Sequence, residues 1–188
     1  MKEIELKILE LPKNIFLKKM REIGAIKIHS VFVRVKYFDF PDGSIHKKHD
    51  LLRVREFEYL PEGKRKTEVV YKIFDCIKDK CKIYDEIEFE LLGERGFAAA
   101  CDFLKQLGFV ETLHYEKKRT LFAFGKTKFE YDEHPSIPPF LEIEAPGAKE
   151  IHATVKKLGL EKYEQTSDSI GKLLERKYPK VKLNGLVF

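Results

Sequence analysis

Glu3-Ile4-Glu5-Leu6-Lys7 is the stretch on which the reading of this chain turns. Its charged residues occupy every second position, and Ile4, Leu6 and Ile8 fill the gaps. In a β-strand, two carboxylates and an ammonium then share one face. Such a face is costly to bury empty, because two desolvated carboxylates repel each other, and a divalent cation beside them relieves the repulsion. Lys7, one step along the same face, is placed to meet the anion that such a metal carries. A solvent-exposed edge strand has the same local pattern, so five residues decide nothing until the pattern is sought elsewhere.

Further along, the pattern returns. Residues 51–58 read as a strand with Arg53 and Arg55 on one face and Leu52 and Val54 on the other, and a strand near 65–74 puts Lys72 on a face with Glu68 and Val70. Residues 83–91 set Glu86, Glu88 and Glu90 against Ile87, Phe89 and Leu91. Three later strands carry Lys117 and Arg119 (109–123), Glu130 and Asp132 (126–132), and Glu142 and Glu144 (140–145). A long strand at 26–40 places Val31, Val33, Val35 and Tyr37 opposite Arg34, Lys36 and Phe38. Between them lie helical stripes: Phe16, Met20 and Ile23 after Pro12; Phe97, Ala100, Cys101 and Leu104; Ile151, Val155 and Leu158; and a short helix with Ile170, Leu173 and Leu174, capped near Ser167 or Asp168. The first three end in Ile23-Gly24, Leu107-Gly108 and Leu158-Gly159. Strand, helix and three strands, used twice, account for the order.

The remaining composition narrows the field. The 188 residues suit one domain, residues 1–188, without a linker. Charged residues make up 36% of the chain, yet the net charge is only +5, which suits a mixed-sign site better than a basic nucleic-acid surface. No run of ~18 apolar residues predicts a membrane span, and the expected location is cytoplasmic. Cys76, Cys81 and Cys101 form no zinc spacing and read as free thiols, although Cys76 and Cys81 flank a turn and a disulfide between them is compatible with the sequence. No Gly-x-x-x-x-Gly-Lys loop and no Ser/His/Asp or Cys/His pairing is present. His134, beside Asp132 and Pro135, reads as an ordinary loop residue, with a contact to the site left open.

Six cations (Lys7, Arg53, Arg55, Lys72, Lys117, Arg119) and seven acids (Glu3, Glu5, Glu86, Glu88, Asp132, Glu142, Glu144) thus lie on seven strands, mostly with apolar residues behind them. If helical stripes cover the apolar outer faces, the charged faces point inward. The expected fold is α+β, an eight-stranded antiparallel β-barrel (a tunnel) with helices packed outside. A barrel lined by so many ions is no packed core and is better explained by a ligand. Arginine forks and lysines suit phosphate, and hard carboxylate oxygens suit Mg²⁺ or Mn²⁺. A nucleoside triphosphate or another triphosphate with its metal meets both demands.

These residues resemble the CYTH or triphosphate tunnel metalloenzyme family, which includes class IV adenylyl cyclases and thiamine triphosphatases. Glu3 to Lys7 is similar to its E-x-E-x-K signature and Leu52-Arg53-Val54-Arg55 to its L-R-x-R strand. Tyr71-Lys72, Lys117-Lys118-Arg119, Asp132-Glu133 and Phe140-Leu141-Glu142-Ile143-Glu144 resemble its later motifs, in order. The resemblance implies that Lys7, Arg53, Arg55, Lys72, Lys117 and Arg119 hold phosphates, and that Glu3, Glu5, Asp132, Glu142 and Glu144 hold one or two metals. Glu86 and Glu88 carry over more weakly, as metal donors or as residues behind them. Tyr37-Phe38-Asp39 resembles a cyclase-branch segment. The loop 134–139 and Ser169-Ile170 depart from the family pattern. The implied activity is closest to a class IV adenylyl cyclase, making cyclic AMP and pyrophosphate from ATP. The alternatives are hydrolysis of thiamine triphosphate or inorganic tripolyphosphate, and a sensor that binds triphosphate without turnover. A homodimer is left open.

Overall fold

Alternation at the start of the chain becomes β1 (Lys2–Leu9), in which Leu6 and Ile8 are fully buried outside the sheet and Glu3, Glu5 and Lys7 turn to its other side. The computed structural model describes residues 2–91, 93 and 95–188. After β1 come α1 (Lys13–Glu22), β2 (Ile26–Asp39), a short α2 (Ser44–Lys47), β3 (Leu51–Leu60), β4 (Arg65–Lys78) and β5 (Cys81–Leu91). The second half is α3 (Gly96–Gln106), β6 (Val110–Phe124), β7 (Thr127–Glu133), β8 (Phe140–Glu144), α4 (Ala148–Lys157), β9 (Gln165–Thr166) and α5 (Ile170–Lys177).

The strands run β5-β4-β3-β2-β6-β7-β8-β1, and β1 pairs back with β5, so eight antiparallel strands close into a barrel with β9 added outside on β1. Closure removes the sheet's open edges, the usual liability of an antiparallel sheet. Exchanging β1–β4 with β5–β8 leaves this strand order unchanged, so the repeat read in the sequence is a repeat of topology. The cationic pairs do not share it: Arg53 and Arg55 lie on β3, whereas Lys117 and Arg119 lie on β6, the counterpart of β2.

Apolar stripes explain where the helices sit. Phe16 and Met20 of α1 and Ile151 and Val155 of α4 join Leu6, Ile8, Phe129, Leu141 and Ile143 in the largest core, outside β1, β7 and β8. Phe16 stacks on Tyr131 with centroids 4.5 Å apart and meets Phe122 edge-on at 5.4 Å. The Tyr131 hydroxyl donates to the Leu11 carbonyl at 2.8 Å, which satisfies its one buried polar atom. Ala100, Cys101 and Leu104 of α3 cover Leu52, Val54 and Val69 on β3 and β4. The three helices end as expected, with Gly24, Gly108 and Gly159 at positive φ (71°, 92° and 62°), a conformation that glycine adopts without a Cβ clash.

Several expectations change. On β2 the valines face inward with Tyr37, while Arg34 and Lys36 face out and pair with Glu56 (2.7 Å) and Glu111 (3.0 Å). Helix cover reaches only the end of that outer face, where Phe38 packs with Ala100, Cys101 and Leu104 of α3; the stretch with Arg34 and Lys36 is charged, and the inner face becomes an apolar wall. Ser169, rather than Ser167 or Asp168, caps α5 by accepting from the Lys172 N–H at 3.4 Å. The cysteines keep to the favoured reading: Cys76 and Cys81 are free thiols, the register setting Cys76 opposite Ile83 and Cys81 opposite Lys78. The chain's last residues return to β6, where the Gly185 N–H donates to the His114 carbonyl at 2.8 Å and Leu186 bridges to Tyr115. Among the described residues no helix is long and apolar enough to cross a membrane.

Candidate active site

Inside the barrel runs a tunnel of about 700 Å³, lined by nine lysines and arginines and by ten aspartates and glutamates. The period of two puts them there: on each strand the residue between two lining charges packs outward, so neither set can leave its side without moving the other. All thirteen charged residues singled out in the sequence line this space.

On one wall, β6, β7, β8 and β1 build a continuous ionic network. Asp132, with no exposed surface, accepts from Lys117 Nζ at 2.6 Å and from Arg119 Nε and Nη2, each at 2.6 Å. Arg119 also reaches Glu142 at 2.7 Å and touches Glu130. Lys7 links Glu142 (3.0 Å) to Glu5 (3.1 Å). Burial by itself would raise the Asp132 and Glu142 carboxyls. The adjacent cations, Arg119 and Lys117 at Asp132 and Lys7 and Arg119 at Glu142, overcome it and hold both below the usual carboxylate range. Burial likewise opposes the charge on Lys7, yet Glu142 and Glu5 keep it firmly protonated.

The facing wall is built by β1, β3, β4 and β5. Lys72 contacts Glu3 and lies 3.6 Å from Glu86, and Arg55 donates to Glu68 at 2.8 Å. Glu88 is exposed where β5 reaches the rim of the tunnel. Arg53 stands beside Tyr37 and Tyr115; burial acts first on the Tyr37 phenol and would raise it, but the Arg53 charge brings it below its ordinary value. Arg53 Nε and Arg55 Nε are buried and have no hydrogen-bond partner among the described residues. A buried donor left unmet costs about 1–3 kcal/mol, and more when charged. These atoms mark places where the folded chain by itself is incomplete.

Acceptors are crowded where donors are not. Glu5 stands directly opposite Glu144 across β1 and β8, and Glu130 directly opposite Glu142 across β7 and β8. Like charges in cross-strand register destabilise a sheet unless cations intervene. Burial, with Glu142 and Asp132 nearby, pushes Glu130 up to about 7 despite Arg119. These four carboxylates with Glu3 form a hard-oxygen donor set that suits Mg²⁺ or Mn²⁺. Among the described residues no three His, Cys, Asp or Glu side chains stand together at ligating geometry, because the carboxylates turn onto lysines and arginines. A metal would take them over from those partners. Asp132, already engaged in three hydrogen bonds, is the least free to do so.

Several lining residues escaped the sequence reading. His134 is 6% exposed, stacked on Phe140 at 5.1 Å and tilted against Tyr115 at 5.7 Å, with Nδ1 unpartnered among the described residues. It lies in the loop that follows β7 and walls the tunnel from there, and burial holds it neutral, down to about 4. Its proximity to Asp132 was the available signal. Glu68 and Glu130 carried a second signal, since they alternate with residues already chosen. Lys82, brought down to about 8 by burial and then by Lys7, and Tyr84 lie on β5 beside β1, a pairing that no local pattern announces. Tyr37, Tyr84, Tyr115, His134 and Phe140 give the tunnel an aromatic section.

A closed antiparallel barrel with a charged, two-signed tunnel defines a class of proteins rather than one activity. Its family is settled by comparison: the model of the CYTH domain matches residues 1–172, and the chain belongs to the CYTH family. Among solved structures, PH1819 from Pyrococcus horikoshii is 26% identical, with 93% of this chain and 99% of that one covered and a TM-score of 0.76. A candidate adenylate cyclase from Vibrio parahaemolyticus (15% identity, 92% and 97% covered, TM-score 0.72) shares the fold. So does HpAC1 from Hippeastrum, a candidate adenylyl cyclase described as having a dominant triphosphatase activity (14%, 93% and 94%, TM-score 0.63). No curated protein matches the sequence.

Proposed function

We propose that the tunnel binds a triphosphate together with Mg²⁺ or Mn²⁺ and turns it over, with the cyclase reaction, ATP to cyclic AMP and pyrophosphate, as the first reading. One observation carries this. The same tunnel holds guanidinium donors without acceptors, at Arg53 and Arg55, and carboxylates in like-charged register, at Glu5/Glu144 and Glu130/Glu142. A phosphate chain answers the first and a divalent cation the second. With nine cations against ten acids, the lining favours a ligand that carries both signs over a bare anion or a bare metal.

In this reading Arg53, Arg55, Lys72, Lys117 and Arg119 approach the phosphates from three strands, the arginines as forks and the lysines as point charges. Lys7 stands between Glu5 and Glu142, where it meets an anion carried by the metal. Glu3, Glu5, Glu130, Glu142 and Glu144 would hold the metal, and Asp132 orients Lys117 and Arg119 instead of donating to it. When bound, the metal would neutralise phosphate oxygens and acidify the attacking hydroxyl. Catalysis otherwise comes from positioning and charge stabilisation, because phosphoryl and nucleotidyl transfer leave the protein little covalent work. The aromatic section offers a planar organic group a surface that inorganic tripolyphosphate does not need, which supports a nucleotide. The second reading, hydrolysis at the terminal phosphorus, is supported by the activity described for HpAC1.

Incubation with Mg²⁺ or Mn²⁺ and ATP, thiamine triphosphate or tripolyphosphate tests both readings, with cyclic AMP, pyrophosphate and orthophosphate measured. Cyclic AMP from ATP is the expected product. Orthophosphate without cyclic AMP moves the assignment to hydrolysis, and binding without any product makes the protein a sensor.

A further inference from the structure

One strand of the barrel outruns its neighbour. β6 pairs with β2 along almost its whole length, from Val110 against Asp39 to Ala123 against Ile26, but with β7 only from Lys118 to Phe124. β7 ends at Glu133, and Pro135, Pro138 and Pro139, which have no N–H to donate, do not continue its ladder. The free edge at residues 112–116 lies at the end of the tunnel where Tyr37 stacks on Tyr115 at 6.2 Å and His134 stands between Tyr115 and Phe140. Residues 184–186 occupy that edge. The Gly185 N–H donates to the His114 carbonyl at 2.8 Å, and the Glu116 N–H donates to the Leu186 carbonyl at 2.9 Å. Asn184 Oδ1 accepts from the His114 N–H at 3.1 Å, so the segment runs parallel to β6 and completes the wall. It lies beyond the part of the chain that matches the family model, and the shared motifs do not account for it.

What this segment turns inward decides its chemistry. From Ser169 onward the chain carries Lys172, Arg176, Lys177, Lys180 and Lys182, yet the residues it gives to the tunnel are Ser169, Ile170, Gly171 and Leu183, none of them charged. A wall that served phosphate would turn one of those cations in. Leu183 instead adjoins two apolar clusters, the one with Val35 and Tyr115 and the one with Leu9 and Phe140. We propose that residues 181–186 decide which triphosphate is taken, and that Leu183 bears on the planar organic group of the substrate, a nucleobase, and not on its phosphates. The proposal rests on the triphosphate reading given above. The phosphate chain lies against the cations of the barrel strands, and the base extends from it to the aromatic end, where tripolyphosphate has nothing to place. An apolar contact of this size separates two ligands by roughly tenfold or more.

Titration calorimetry on the full chain with ATP and with tripolyphosphate, Ca²⁺ replacing Mg²⁺ to slow turnover, tests this. Leu183→Ala should weaken ATP about tenfold and leave tripolyphosphate within about twofold of native. Lys182→Ala, exposed on the same segment, should change neither. Circular dichroism establishes that each variant is folded. Equal losses for both ligands overturn the proposal, because the segment then only completes the wall, and no loss for either overturns it as well. A native chain that binds tripolyphosphate but not ATP overturns it and leaves the triphosphate reading standing, whereas one that binds neither removes both. If Leu183→Ala does not fold, Gly185→Val decides by the same comparison. Gly185 holds φ at 82° where the segment turns onto β6, and an added Cβ meets nothing nearer than His114 Nε2 at 4.0 Å, so backbone strain and not a clash detaches the segment.

Discussion

Asp132→Asn is the sharpest single perturbation of the tunnel. The carboxylate has no exposed surface and accepts three hydrogen bonds of 2.6 Å from Lys117 and Arg119, so its removal as a charge leaves two buried cations short of their counter-ion. Stripping one member of a buried ion network costs about 3–5 kcal/mol. Asparagine keeps the shape and one acceptor, which places the cost near the lower end, about 3 kcal/mol. For a chain of this size that is a fall in Tm of roughly 6–12 °C. The pH dependence follows from the lowered folded-state carboxyl. The unfolded chain binds the proton first, so the contribution of Asp132 is complete above its ordinary value of 3.8 and is lost as pH falls through the folded value. The gap between native and variant is therefore constant at neutral pH and closes in strong acid. Thermal unfolding of metal-free protein, followed by circular dichroism at pH 7, measures it. A Tm change below about 2 °C in metal-free protein, joined to loss of any metal-induced stabilisation, would show that a metal rather than Lys117 and Arg119 is the partner of Asp132.

Three further outcomes are expected. Glu5→Gln should abolish metal-dependent turnover while leaving Tm within about 2 °C or raising it, because it relieves the Glu5/Glu144 opposition; undiminished turnover with Mn²⁺ refutes the donor set. Arg53→Lys should weaken triphosphate binding about tenfold by titration calorimetry, since an ammonium lacks the fork and the unpartnered Nε; equal affinity excludes Arg53 from the cradle. His134→Phe should keep the stack on Phe140 and remove a titration. Native His134 lies near 4 when folded against an ordinary 6.5, so its contribution is complete above 6.5 and falls by about 3 kcal/mol as pH drops to 4. The variant should lack that part of the acid sensitivity, and parallel stability curves for the two proteins between pH 7 and 4 refute the assignment.

Much of the barrel was legible because its constraint is local. A strand buried on one face and lined with ions on the other must alternate, and Glu3-x-Glu5-x-Lys7, Arg53-x-Arg55, Lys117-x-Arg119 and Glu142-x-Glu144 do so visibly. β2 defeated the rule that charged faces turn inward. Its two faces are one apolar and one charged like the others, but α3 covers the outside only at Phe38, so Arg34 and Lys36 found carboxylates there and the valines went in. His134 defeated the composition of its surroundings: a stretch with three prolines reads as a surface loop, but Phe140 and Tyr115, brought in from β8 and β6, pack against the ring.

From the sequence alone come the alternation, the helical stripes with their glycine ends and the residue types that suit phosphate and metal, all of them fixed by neighbours within a few positions. Which face becomes the interior is not fixed so locally, because it depends on what covers the other side. Nor is the pairing of charges: Lys72 meets Glu3 and Lys117 meets Asp132 only after the barrel closes. Closure joins β1 to β5, about eighty residues apart, and that contact turns separate charged strands into one tunnel.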